Sequence, residues 1–285
     1  AMDTCGKIPQ GERDGRPHPA HAWSGPSGWG SSVAQVNEPI RDQWTYHAVA
    51  AVMRSHSFLR ARTEVDPARV GLTGISWGGY LTSIVMGIDD RFVFAAPVYG
   101  CGWYDLNPQW AHMGAPADYR RWLALWDPRH YLPGTRRPVL WCCGTNDRWY
   151  PLDAVHRSYE ALSPNVPLIL SLKLRMPHGH PAALADHLLR GGAPLVAVKA
   201  AEVRDGRLCV AFDAGGRRVA RAELLATEDA NPVLERRAWS ATPVPGFDGT
   251  RTSLAVPVPA RAVMFFVNLV TDDGLVVSTR IFTRE

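Results

Sequence analysis

Several absences narrow the field before any motif is read. No apolar run approaches the ~20 residues that a membrane-spanning helix needs, so no membrane partner is expected. No block of like charge is present either; the formal net charge of +4 is spread over scattered arginines, which argues against nucleic acid or an anionic membrane surface as a partner. A cysteine framework is missing. Cys5, Cys101, Cys142, Cys143 and Cys209 are odd in number and irregularly spaced, two of them adjacent in an apolar run, and they fit neither a disulfide scaffold nor a zinc pattern. No signal segment is visible at the start, where residues 1–6 offer almost no hydrophobic lead-in. Tryptophan all but disappears from the second half: ten of the eleven lie before residue 150, which divides the chain into two unlike parts.

What remains describes a folded chain, 46% hydrophobic and 20% charged, whose 285 residues suffice for one large α/β domain or a reduced one with a smaller companion. Residues 7–36 are rich in Gly, Pro, Ser and His without periodicity and read as a long loop. From Asp42, Trp44, Ala48, Val49, Val52, Met53, Phe58 and Leu59 recur at helical spacing.

The stretch 71–81 organises the rest. Gly74, Ser76 and Gly78 fit Gly-x-Ser-x-Gly, preceded by an apolar approach that reads as a short buried strand and followed by a helical run from Tyr80. A serine at such a strand-to-helix turn has a strained backbone, small neighbours and an outward hydroxyl, and the Trp77 N–H can face a developing oxyanion at the helix N-terminus. The motif alone is also compatible with an ordinary tight turn.

Later runs extend the pattern. Residues 92–100 form a continuous apolar run suited to a strand buried on both faces. An insertion at 101–127 then carries Trp103, Tyr104, Trp110, Tyr119, Trp122 and Trp126; these rings either pack a helical cap or form a platform for a sugar ring or aromatic acyl group. Trp103 and Tyr104, with Trp149 further on, are the candidate substrate-binding residues. The run 138–147 is a buried strand ending in a polar turn, which puts Asp147 at a strand's carboxyl end with Asp153 as a fallback. A further strand from Pro167 leads to His178 and His180. Either can serve as the base. His-x-His is also half of a metal site, but no carboxylate or thiolate cluster completes it, so no metal and no cofactor are expected.

The run 64–79, with its Val-Asp-Pro-Ala-Arg-Val-Gly-Leu-Thr-Gly-Ile-Ser-Trp-Gly-Gly core, resembles the α/β-hydrolases of the acetylxylan esterase and prolyl-oligopeptidase-like groups, and the likeness continues to about residue 190. That resemblance implies a serine hydrolase with Ser76 as nucleophile, His180 or His178 as base and Asp147 as acid, in the chain order of α/β-hydrolases. It implies small acyl esters, including acetyl groups on carbohydrate, as substrates. The runner-up is a prolyl-oligopeptidase-like peptidase, and the third reading is a non-catalytic scaffold. It further implies that residues 2–6 match the end of a strand closing in an Asp-x-x-Gly turn. The earlier strands, and with them the usual second oxyanion donor, would then be absent.

Beyond Gly192 the grammar changes. Short alternating runs at 195–203, 206–213, 220–227, 234–242, 252–258, 262–271 and 275–282 are broken by turns such as Asp205-Gly206 and Asp273-Gly274. The expected fold is α/β: an N-terminally reduced, mostly parallel α/β-hydrolase-type sheet over 1–192, followed by an all-β sandwich over 193–285. A sheet that starts late exposes an edge, so a homo-oligomer is expected, with contacts through the loop 7–36 or the insertion 101–127.

Overall fold

The computed structural model describes residues 22, 24–28, 32–175, 181–231 and 233–284. The readings placed on residues 2–6, on most of the loop at 7–36 and on His178 and His180 lie outside the described residues.

Helix α1 (Trp44–Arg60) buries Trp44, Thr45, Ala48, Val49 and His56, one stripe at helical spacing. Phe58 and Leu59, expected on that face, are 64% and 41% exposed. They fall in the last turn, where Phe58 has rotated off the stripe and His56 takes the inward place. Four parallel strands follow, β1 (Leu72–Ile75), β2 (Ala95–Val98), β3 (Val139–Gly144) and β4 (Leu168–Lys173), side by side in chain order. Helices α2 (Trp77–Val85), α3 (Pro116–Trp126), α4 (Leu152–Glu160) and α5 (Pro181–Arg190) connect or follow them. Strands β2 and β3 are buried throughout, as continuous apolar runs between covering layers must be. Strand β1 alternates instead between half-buried and exposed residues. It pairs with β2 on one side and stands at the end of the sheet, so the apolar approach to Ser76 is an edge strand and not the buried one its composition suggests.

The C-terminal part holds β5 (Ala197–Arg204), β6 (Arg207–Asp213), β7 (Val219–Thr227), β8 (Ser240–Pro243), β9 (Ser253–Pro257), β10 (Met264–Thr271), β11 (Val276–Ser278) and β12 (Phe282–Thr283). The turn at Asp205-Gly206, with both φ angles positive (48° and 71°), joins β5 to β6. These strands do not all stand apart from the first half. Strand β11 lies antiparallel beside β4, and the order β1-β2-β3-β4-β11-β10-β7-β8, with β12 on β10, makes one mixed nine-stranded sheet. Strands β5, β6 and β9 form a separate antiparallel sheet. The seam is fixed by side chains: Asn268 Nδ2 donates to the Leu172 carbonyl at 2.8 Å, and the Leu172 N–H donates to Ser278 Oγ at 2.8 Å. Buried faces of both sheets belong to one apolar cluster. The alternation that suggested a sandwich holds for β6, while β10 and β11 are buried at every position. Such a pattern carries no information about which strand lies alongside, and for β11 that neighbour is β4.

Candidate active site

Ser76 joins β1 to α2 with φ 57° and ψ −118°, a conformation that few non-glycine residues adopt. Its N–H donates to the Val98 carbonyl at 2.9 Å and its own carbonyl accepts from Tyr80 N–H, so the backbone is tied to β2 on one side and α2 on the other. The surrounding glycines divide the steric work unevenly. A Cβ on Gly74 would lie 2.3 Å from the Gly78 carbonyl oxygen, and one on Gly79 would lie 2.4 Å from that of Val98. A Cβ on Gly78 would meet nothing within 4 Å. Ser76 is exposed. Trp77 opens α2, where first-turn N–H groups have no intrahelical acceptor. Its ring turns away to pack edge-on against Trp44, Tyr80 and Trp110.

Asp147 sits three residues past β3 and is 1% exposed. Its Oδ1 accepts the N–H groups of Trp149 (2.8 Å) and Tyr150 (2.9 Å), while Oδ2 is buried with no partner among the described residues. Burial pushes its carboxyl up to about 6, against the pull of those two N–H donors. An orphaned buried carboxylate oxygen is costly and marks a place where a donor belongs. Thr145 N–H donates to Lys173 O, Asn146 N–H to Arg175 O, and Arg175 N–H to Thr145 Oγ1 at 2.8 Å, so Arg175 lies beside the turn that carries Asp147.

The turn at 147–151 is clamped from two sides. Asn107 Nδ2 donates to the carbonyls of Arg148 and Trp149, and Trp110 Nε1 donates to Trp149 O at 2.7 Å. From the C-terminal part, Asn146 Nδ2 donates to Glu235 O and Arg237 O, and Arg237 pairs with Asp153 at 3.1 Å. The fallback acid Asp153 is thus engaged with Arg237. Sequence reading missed Asn107, Asn146 and the 235–237 segment, since an asparagine serving main-chain carbonyls across 89 residues leaves no local signal.

The insertion turns most of its aromatic rings inward. Tyr104, Trp110, Tyr119, Trp122 and Trp126 are buried, and Tyr104 packs against Tyr80, Trp110, Trp122 and Tyr150. Trp103, with φ 53°, and Trp149 remain half-buried, each carrying an arginine over its ring: Arg129 at 5.3 Å and Arg148 at 5.1 Å. The buried Asp127 carboxylate holds the bend by accepting the N–H groups of Trp103, Tyr104 and Arg129. Tyr150, another residue the sequence did not single out, is 1% exposed, with its hydroxyl near those of Tyr104 and Ser76. Burial raises its phenol pKa, and the neighbouring Tyr104 and Ser76 hydroxyls pull the other way. Among the described residues no three His, Cys, Asp or Glu side chains converge on a metal site. No described helix is long and apolar enough to cross a membrane.

A family model of the prolyl oligopeptidase family, peptidase S9, matches residues 27–189. The chain belongs to the prolyl oligopeptidase family. The match takes in Ser76, Asp147 and both histidines and stops within α5, so the C-terminal strands β5 to β12 lie outside the part that shows this prolyl oligopeptidase relationship. No curated protein matches. Among solved structures, an acetyl xylan esterase from a Paenibacillus species has 18% identity over 60% of this chain and 60% of its own, with a TM-score of 0.48. Acetyl xylan esterase 1 from a Thermoanaerobacterium species has 18% identity over 60% of this chain and 57% of its own, at 0.44. The acylaminoacyl peptidase of Pyrococcus horikoshii has 20% identity over 54% of this chain and 27% of its own, at 0.41. The matched part of this chain thus spans less than two thirds of any of these three.

Proposed function

We propose that the chain is a serine carboxylesterase acting on short acyl esters through Ser76, His180 and Asp147. The observation that supports this reading best is the unpartnered Asp147 Oδ2, buried beside the strand end from which the two histidines follow. In the proposed cycle His180 accepts the Ser76 hydroxyl proton as Oγ attacks the ester carbonyl, and the Asp147 carboxylate holds the ring and stabilises the imidazolium. The Trp77 N–H donates to the oxyanion. Collapse expels the alcohol, which takes the proton from the imidazolium, and water then attacks the acyl-enzyme with the histidine again as base. His178 is the alternative base. The half-buried rings of Trp103 and Trp149, with Tyr104 behind them, would flank the acyl or alcohol group. Acetyl groups on carbohydrate are the first substrate class to test, since aromatic faces suit a sugar ring. The family match supports a second reading, a prolyl-oligopeptidase-like serine peptidase.

A fluorophosphonate probe and p-nitrophenyl acetate, offered beside a proline-containing peptide substrate, test the proposal. Labelling at Ser76 and ester turnover are expected, both abolished in Ser76→Ala with the melting temperature nearly unchanged. His180→Ala should lower kcat by several orders of magnitude and His178→Ala far less. Full activity in Ser76→Ala overturns the mechanism. Turnover of the peptide alone moves the assignment to the peptidase reading.

A further inference from the structure

A cavity of about 520 Å³ lies at the end of the parallel sheet opposite Ser76. Its lining includes Pro67, ahead of β1, and Val93, whose N–H bonds to Val70 ahead of β2. Ser76 and Asp147, by contrast, follow the carboxyl ends of β1 and β3. With strands rising about 3.3 Å per residue, the nine positions from Pro67 to Ser76 keep the two places well apart.

Three arginines from three segments line this cavity: Arg60 from the end of α1, Arg91 from the connection into β2, and Arg137 from the connection into β3. Arg60 and Arg137 are each held by a carbonyl bond that leaves other donors in the fork for a further partner, whereas Arg91 is engaged through all three nitrogens, with Asp89 and Ser57. Arg60 Nη1 donates to Pro67 O at 2.6 Å, and Arg137 Nε donates to Asp90 O at 2.7 Å. Arg91 is fixed by Asp89, itself 1% exposed on its side chain, at 2.6 Å. Carbonyl partners orient a guanidinium without neutralising it, and neither Arg60 nor Arg137 forms an ion pair among the described residues. Asp90 lines the cavity and Asp89 already neutralises Arg91, so the three cations exceed the two nearby carboxylates by one charge. The positive field reaches inward: buried His56 has its pKa lowered chiefly by burial, and Arg91 and Arg60 lower it further against the pull of Asp89.

Planar forks suit oxyanions by paired N–H donation, and Arg60 and Arg137, with no carboxylate partner of their own, supply the uncompensated charge that a phosphate would meet. The volume exceeds what a bare phosphate fills and lies in the range of small-molecule sites, with Pro67 and Val93 supplying apolar wall. We propose that this cavity is a binding site for a small organic phosphate, its phosphate head held by Arg60 and Arg137 and its apolar body against Pro67 and Val93, separate from the Ser76 site.

Calorimetric titration with phenyl phosphate and with inorganic phosphate at constant ionic strength, with chloride as the control salt, tests it. Saturable one-to-one binding of phenyl phosphate is expected, tighter than inorganic phosphate. Arg137→Ala removes an exposed group and should weaken binding about tenfold or more, the loss of a charged hydrogen bond, with ester hydrolysis unchanged. Ser76→Ala should bind as the parent does. If Arg137→Ala melts lower without ligand, Arg137→Gln, which keeps a donor for the Asp90 carbonyl, carries the same comparison. The assignment is overturned by no saturable heat, by equal binding in the Arg137 variant, or by loss of binding in Ser76→Ala. None of these results bears on the esterase proposal, which is read from probe labelling.

Discussion

At the scale of single residues, the site is marked by costs that folding alone does not require. Ser76 occupies a positive-φ conformation worth about 1–3 kcal/mol of strain, at a position where glycine would sit more cheaply. Asp147 pays twice, with an orphaned oxygen and with a carboxyl lifted from 3.8 to about 6 by burial. Because the native carboxyl holds its proton more tightly than the unfolded one, this group favours folding most below about pH 4, and the contribution is lost as pH rises through 6. Asp147→Asn keeps the Oδ1 acceptor for Trp149 and Tyr150 but cannot ionise. The variant should match the parent near pH 4 and exceed it above pH 6, by at most ~3 kcal/mol for a shift of this size, while ester turnover collapses. Urea unfolding at the two pH values checks this; an Asn variant less stable at pH 7 contradicts the account. The Ser76 motif and the Asp147 turn were legible because both are local, with every residue within five positions. The clamps were not, because Asn146 and Asn107 act on partners distant in sequence.

Among elements, the crossing of α2 over β2 decides what the elbow tolerates. Gly79 and Gly100 meet back to back, and a Cβ on Gly100 would fall 2.1 Å from the Gly79 carbonyl carbon. Both groups are backbone and neither can swing aside. Gly79→Ala should therefore cost more than the usual 1–3 kcal/mol of overpacking, whereas Gly78→Ala, with open space before it, should be nearly neutral or gain a few tenths from helix propensity. Thermal melts of the two variants side by side test the geometry, and equal losses would contradict it. The motif as text treats Gly78 as the required small residue. Packing moves the requirement to Gly74 and Gly79, and only the path of the neighbouring strand could show that.

For the whole molecule, the seam between β4 and β11 is the decisive contact. Removing everything after Gly192 would strip β4 of Ser278 and Asn268 and expose apolar residues such as Leu170 and Leu172, 3% and 0% exposed in the full chain. A chain cut at residue 192 should accordingly aggregate or unfold, and co-expression with 193–285 should restore it; a monomeric, cooperatively melting 1–192 fragment would show that the boundary separates independent units. At the other end of the sheet, β1 has no neighbour beyond β2 among the described residues, with Ile75 51% exposed. We propose that a second copy pairs there, giving a homo-oligomer. Sedimentation at micromolar concentration should show a dimer or larger, and a monomer dissolves the proposal. Of the two contacts expected from the sequence, the aromatic insertion turns most of its rings inward and the loop at 7–36 lies mostly outside the described residues.

The sequence by itself determined the elements that depend on neighbours along the chain. The 3.6-residue stripe of α1, the apolar runs of β2 and β3, the Asp205-Gly206 turn and the strand-turn-helix around Ser76 are all written within windows shorter than a helix. Tertiary structure decided what lies beside what. It put β1 at an edge although its approach is apolar, joined β4 to β11 across more than a hundred residues, set the 235–237 segment against the Asp147 turn, and gathered three arginines at the far end of the sheet. The physical reason is the same in each case: a strand's pattern records which of its faces is covered, but lateral pairing is made by backbone groups that every residue carries, so only the packed chain selects the partner.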